Sequence, residues 1–180
     1  GIPRAHLVGV SMGGMIAQLS SGKYPQRVKS LTSIMSTTNE RHLPGPALRV
    51  LLHMSGGGVN HSREEVIARN IKLFRMIGSP AYPTADQHRR EISGKAFDRA
   101  YRPGGLLRQT HAIMATGGFA QIAAQIKAPT QIIHGLADPL VRPAGGKRSA
   151  KVIPGAKLEL IEGMGHDFPD ALMPRWADLI

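Results

Sequence analysis

Leu7-Val8-Gly9-Val10-Ser11-Met12-Gly13-Gly14 is the stretch on which the fold turns. A short apolar run, Ala5–Val10, ends in Gly-x-Ser-x-Gly. A helix-compatible stretch, Met12–Ser21, follows, with Met15, Ile16 and Leu19 expected on one face. Gly22 and Pro25 are stop signals. This is the sequence form of a nucleophile elbow, a sharp strand-to-helix turn that exposes a serine hydroxyl. Glycine is required beside such a serine because a side chain at Gly9 or Gly13 would crowd strand against helix. Val28–Met35 then reads as a second strand. Strand, helix and strand in succession form a βαβ unit, which implies a parallel sheet and an α/β fold.

Composition narrows the function classes. The chain has 180 residues, 42% hydrophobic and 19% charged, which suits one globular core. Aromatics contribute only 4%, so the core must rest on aliphatic residues and Met. Cys is absent, which excludes disulfides, Cys-ligated metals and a Cys nucleophile. No apolar run reaches the roughly 18 residues of a membrane span, so no membrane partner is expected. The first residue is Gly1, not Met, so a leader cannot be judged; a cytoplasmic location is the expectation.

The net charge of +11 raises nucleic acid as a partner. Its distribution argues otherwise. Residues 36–127 hold thirteen Lys/Arg against six acids, spread among apolar helical positions. Residues 128–180 are balanced, with six of each. No basic patch interleaves with aromatics, so solvated helix faces are expected and no nucleic-acid partner.

The texture changes after Ser36. Ser62-Arg63-Glu64-Glu65 is a capping box opening a helix whose apolar face is Val66, Ile67, Ile71, Phe74 and Ile77. Thr84-Ala85-Asp86-Gln87 reads as a second capping box. Pro103 opens a helix through Met114, and Phe119–Ile126 a short one. Gly56-Gly57-Gly58 reads as a flexible loop. The organisation expected is a core over 1–35, a helical insertion over 36–127 and a core again over 128–180.

Sheet character returns with Thr130–His134, which runs into Gly135-Leu136-Ala137-Asp138-Pro139. Lys157–Ile161 runs into Glu162-Gly163-Met164-Gly165-His166-Asp167. Ala144–Val152 between them and Ala171–Ile180 at the end read as helices. Ser11, Asp138 and His166 thus occur in the order nucleophile, acid, base, each in a turn just after a strand. Turns past the carboxyl ends of parallel strands are where such sheets place their sites. Asp138 would fix the tautomer of His166, His166 would take the Ser11 proton, and the Met12 N–H would help hold an oxyanion. Met12, Leu140 and Val141 are expected to form an apolar substrate pocket. Glu40, after the second strand, is a rival for the orienting acid; His134 could line the site but is better read as core. Asp167 reads as a turn residue. Gly145-Gly146-Lys147-Arg148 fails as a phosphate loop, since Arg148 stands where Ser or Thr is needed. Neither a metal nor another cofactor is expected.

AHLVGVSMGGMIAQ (5–18), IHGLADPLV (133–141) and IEGMGHDFP (161–169) resemble the three signature blocks of α/β-hydrolases. Pro129–Pro169 is similar to the branch containing aclacinomycin methylesterase. The resemblance implies a serine hydrolase with a parallel eight-stranded sheet, a helical cap, and a triad of Ser11, Asp138 and His166. It also implies that four strands, and a His-Gly loop giving a second oxyanion donor, precede Gly1. The chain is therefore expected to be the C-terminal part of a longer protein, and to fold poorly or be inactive alone. A small, apolar carboxylic ester is the expected substrate, cleaved through an acyl-enzyme. Lactonase, thioesterase, acyltransferase, carbon–carbon hydrolase and perhydrolase chemistry remain open, as does a non-hydrolytic receptor on the same scaffold.

Overall fold

β1 (Ala5–Val10) passes into α1 (Met12–Lys23) through a single residue, Ser11. A computed structural model describes residues 1–55 and 62–180, so the Gly56-Gly57-Gly58 loop lies outside the described residues. After α1 a short 3₁₀ turn, Pro25–Arg27, leads into β2 (Val28–Ile34). β3 (Thr130–Gly135) and β4 (Lys157–Ile161) complete a parallel sheet in the order β1-β2-β3-β4. β2 and β3 are buried almost continuously, as parallel strands covered on both faces must be.

The core lies in two layers. On one face Leu31 and Ile132 pack with Met15 and Ala17 of α1 and with Phe119, Ala123 and Ile126 around α6 (Ala120–Ala123). On the other, Ile34, Ile133 and Ile161 pack with Met164, Leu172 and Trp176. Trp176 belongs to the terminal helix, and α7 (Pro143–Val152) links β3 to β4. Between β2 and β3 run α2 (Leu48–Ser55), α3 (Arg63–Ile77), α4 (Asp86–Arg99), α5 (Pro103–Thr116) and α6. The terminal helix is α8 (Met173–Leu179), preceded by a 3₁₀ turn at Asp170–Leu172.

Local chemistry explains most boundaries. At α3, Ser62 accepts the N–H of Glu65 and Glu65 accepts that of Ser62, the expected reciprocal cap. The second expected capping box is not formed. α4 starts at Asp86 behind Ala85, which gives no side-chain cap, and the Asp86 carboxylate pairs with Arg75 and Arg89 instead. α1 also differs from expectation. Its inward face is Gly14, Met15, Ala17, Gln18, Ser21 and Gly22, while Ile16 is exposed. The helix meets its neighbours through small residues, which let backbones approach closely. Among the described residues no helix is long and apolar enough to cross a membrane.

Candidate active site

Ser11 has φ 52° and ψ −119°, a left-handed conformation that a non-glycine residue adopts only where its surroundings enforce it. They do so at both ends of the residue. Its N–H donates to Ile34 O at 2.9 Å, tying the turn to β2. Its carbonyl accepts from the N–H of Gly14 (2.9 Å), the N–H of Met15 (3.2 Å) and Ser36 Oγ (2.7 Å). Gly9 is obligatory for this turn, because a Cβ there would lie 2.2 Å from Gly13 O. Gly13 is not crowded as expected: a Cβ there meets nothing within 4 Å among the described residues. The tight contact belongs to Gly14, where a Cβ would lie 2.6 Å from Ser36 Cβ.

Asp138 sits in the turn after β3 and is almost fully buried. Its Oδ1 accepts the N–H groups of Leu140 (2.8 Å) and Val141 (2.9 Å), which folds the turn around the carboxylate. Its Oδ2 lies 2.7 Å from His166 Nδ1. A carboxylate only accepts, so Nδ1 carries the proton. That leaves His166 Nε2 to accept from Ser11 Oγ, 3.0 Å away. The structure therefore joins Ser11, His166 and Asp138 in one line of hydrogen bonds.

His134, on β3 beneath this turn, is fully buried. Its Nε2 donates to Val141 O at 2.8 Å and lies 3.6 Å from Asp138 Oδ2. Burial pushes its imidazole below the ordinary range, so it stays neutral. Glu40 is committed elsewhere. It takes two hydrogen bonds from Arg148 at 2.8 Å and one from Thr38, and the Arg148 guanidinium holds its carboxyl at about 2.

Ser11 opens into a cavity of about 370 Å³, which Met12, Leu140 and Val141 also line. Met15, Leu43, Met54, Leu106 and Ile113 add apolar surface. As the first residue of α1, Met12 presents an N–H with no acceptor inside the helix. Of the polar residues lining the cavity, Asn39 is spent on the carbonyls of Ile113 (2.8 Å) and Gly117 (3.0 Å), and Glu40 on Arg148.

Residues 1–170 match the model of the α/β hydrolase fold. The chain belongs to the α/β-hydrolase fold family. The chain is 26% identical over 170 residues to pimeloyl-[acyl-carrier protein] methyl ester esterase of Chromobacterium violaceum, covering 93% of this chain and 62% of that protein. It is 25% identical over 187 residues to rhodomycin D methylesterase of Streptomyces peucetius, again covering 93% and 62%. A meta-cleavage product hydrolase from Pseudomonas fluorescens superposes with a TM-score of 0.75 at 21% identity, covering 99% of this chain and 63% of that one, a likeness of fold. The chain thus spans 62% of the length of these curated relatives.

The support given to the His166 loop leaves no local signal in the sequence. The His166 N–H donates to Ile77 O at 2.6 Å, at the end of α3. The buried Ser79 Oγ accepts from Gly165 N–H at 2.8 Å and donates to Asp167 Oδ1 at 2.5 Å. Asp167 is more than a turn residue: it is buried and receives the Ser79 hydroxyl. Gly165 admits this contact, since a Cβ would lie 2.3 Å from Gly78 O.

Proposed function

We propose that the protein carrying this chain hydrolyses a carboxylic ester through an acyl-enzyme on Ser11. The observation that carries this reading is the pair of hydrogen bonds from Asp138 Oδ2 through the His166 ring to Ser11 Oγ, 2.7 and 3.0 Å long. In this reading Ser11 Oγ attacks the ester carbonyl while His166 Nε2 takes its proton. The proton passes to the leaving alcohol when the tetrahedral intermediate collapses, and water then releases the acid by the same route. Asp138 holds the imidazole in the required tautomer and stabilises the imidazolium. The Met12 N–H, at the positive end of α1, donates to the oxyanion.

The helices between β2 and β3 act as a cap in this reading, and Met12, Leu140 and Val141 form the apolar wall against which the substrate lies. The esterase names of two relatives support ester over other acyl bonds. Carbon–carbon bond hydrolysis is the second reading, favoured by the fold likeness to the meta-cleavage product hydrolase. Initial rates of the full-length protein on nitrophenyl esters, lactones and a vinylogous diketone, with Ser11→Ala alongside, separate the two. Ester turnover lost in Ser11→Ala is expected; diketone turnover without ester turnover favours the second reading.

A further inference from the structure

α5 is a helix of fourteen residues, PGGLLRQTHAIMAT, and none of them is buried. Amphipathic helices ordinarily bury an apolar stripe against the core. Here Leu106, Leu107 and Met114 stay more than half exposed. α2 shows the same pattern. It buries only Val50 and presents Leu48, Leu51 and Leu52 outward. Both helices border the cavity into which Ser11 opens, α2 through Met54 and α5 through Leu106 and Ile113.

The charge on these helices is one-sided. Residues 41–62 contain no acid, nor do residues 99–137. The acids of the helical segment after Glu40 lie in α3 and α4, where Glu64, Asp86 and Asp98 are matched by Arg63, Arg75, Arg89 and Arg90. α2 carries Arg49 and α5 carries Arg108, both without an acidic partner among the described residues. Neither helix contains Phe, Tyr or Trp, so the large apolar side chains they leave exposed are Leu and Met.

We propose that α2 and α5 dock the protein on an anionic lipid surface, and that the ester it hydrolyses is a lipophilic one drawn from that surface into the cavity that both helices border. The proposal rests on the reading of Ser11 as an ester-cleaving nucleophile and adds where the substrate comes from. A lipid interface supplies what both helices lack: hydrocarbon for the exposed Leu and Met side chains, and negative headgroups for Arg49 and Arg108. The cavity suits such a substrate, since Met12, Met15, Leu43, Leu106, Ile113 and Leu140 line much of its wall. Attachment is peripheral and needs no spanning segment.

The test is flotation of the full-length protein with phosphatidylcholine vesicles and with vesicles containing phosphatidylglycerol. Binding is expected to strengthen on the anionic vesicles, by about fivefold per participating arginine, and the increment to vanish at high salt. Arg49→Gln/Arg108→Gln should remove the anionic increment. Leu52→Gln/Met114→Gln should weaken binding to both vesicle types. Both variants should keep wild-type turnover of a short water-soluble ester. Absence of vesicle binding, or binding indifferent to all four substitutions, overturns the proposal. So does a wild-type dimer by light scattering that the Leu52/Met114 variant dissociates, which would assign the face to a second copy of the chain. Vesicle binding that persists in a Ser11→Ala protein with undiminished ester turnover would instead overturn the reading of Ser11 and leave the docking surface standing.

Discussion

The backbone N–H of His166 donates to the carbonyl oxygen of Ile77 at 2.6 Å. This bond fastens the loop after β4 to the last turn of α3, so the position of the imidazole depends on a helix far away in sequence. Ser79 completes the fastening through the two residues that flank His166, Gly165 and Asp167.

Ser79→Ala should therefore leave a buried carboxylate oxygen and a buried N–H without their hydroxyl partner. The expected loss of stability is about 1–3 kcal/mol. If Ser79 also positions His166, kcat should fall while KM stays near wild type. Thermal denaturation and steady-state kinetics on the full-length variant measure the two effects. A lowered melting temperature with unchanged kcat would assign Ser79 to stability alone.

Asp138→Asn keeps the volume of the turn but replaces the acceptor of His166 Nδ1–H. An amide can offer its NH₂ to Nδ1 and so favour the wrong imidazole tautomer. A fall in kcat on the order of 10⁴ is expected, with little change in KM. Glu40→Gln, by contrast, should leave kcat within a few-fold, because Glu40 is bound to Arg148 and Thr38. Comparing the two variants under identical conditions distinguishes orienting acid from structural ion pair.

Glu40 governs acid stability in a definite direction. Its folded-state value of about 2, set first by the Arg148 hydrogen bonds, lies below the ordinary 4.5. A depressed carboxyl contributes its full stability above the unfolded value and loses it as pH falls from about 4.5 toward 2. The contribution is on the order of 2 kcal/mol, given that the pair is partly open to solvent. Melting temperatures between pH 5 and about 2 should drop for wild type and drop less for Glu40→Gln.

The glycines of the elbow should separate sharply. Gly9→Ala forces a Cβ to 2.2 Å from Gly13 O, backbone that cannot give way without opening the turn. Loss of at least about 3 kcal/mol, or failure to fold, is expected. Gly13→Ala adds a methyl with nothing within 4 Å among the described residues and sits inside α1. It should change stability by no more than about 1 kcal/mol. Chemical denaturation of the two variants checks the contrast.

That contrast also marks how far the residues could be read before the structure. The elbow, the Asp138 turn and the His166 turn were legible because each is a local pattern: a strand run followed by a turn of characteristic residues. Ser79 and Ile77 were not legible, since their contacts with the His166 loop join distant segments and leave no periodic trace. The eight residues of α2 leave no such pattern, because only Val50 is buried and no capping residue announces the start. Hydrophobic spacing places Ile16 inward, whereas it is exposed. α1 in fact packs by Gly14, Ala17 and Gly22, and a Cβ on Gly22 would lie 2.3 Å from Ile122 O. Close backbone approach at the glycines, beside the apolar contacts of Met15 and Ala17, sets that interface.

The most direct test of the account is to trap the covalent intermediate. The full-length protein is incubated with an activated nitrophenyl ester, quenched in acid at early times, and analysed by peptide mass spectrometry. An acyl group on the peptide bearing Ser11, absent in Ser11→Ala and accumulating in His166→Ala more slowly by orders of magnitude, is the predicted result. Ester turnover with no adduct at Ser11, and with Ser11→Ala as active as wild type, would contradict it.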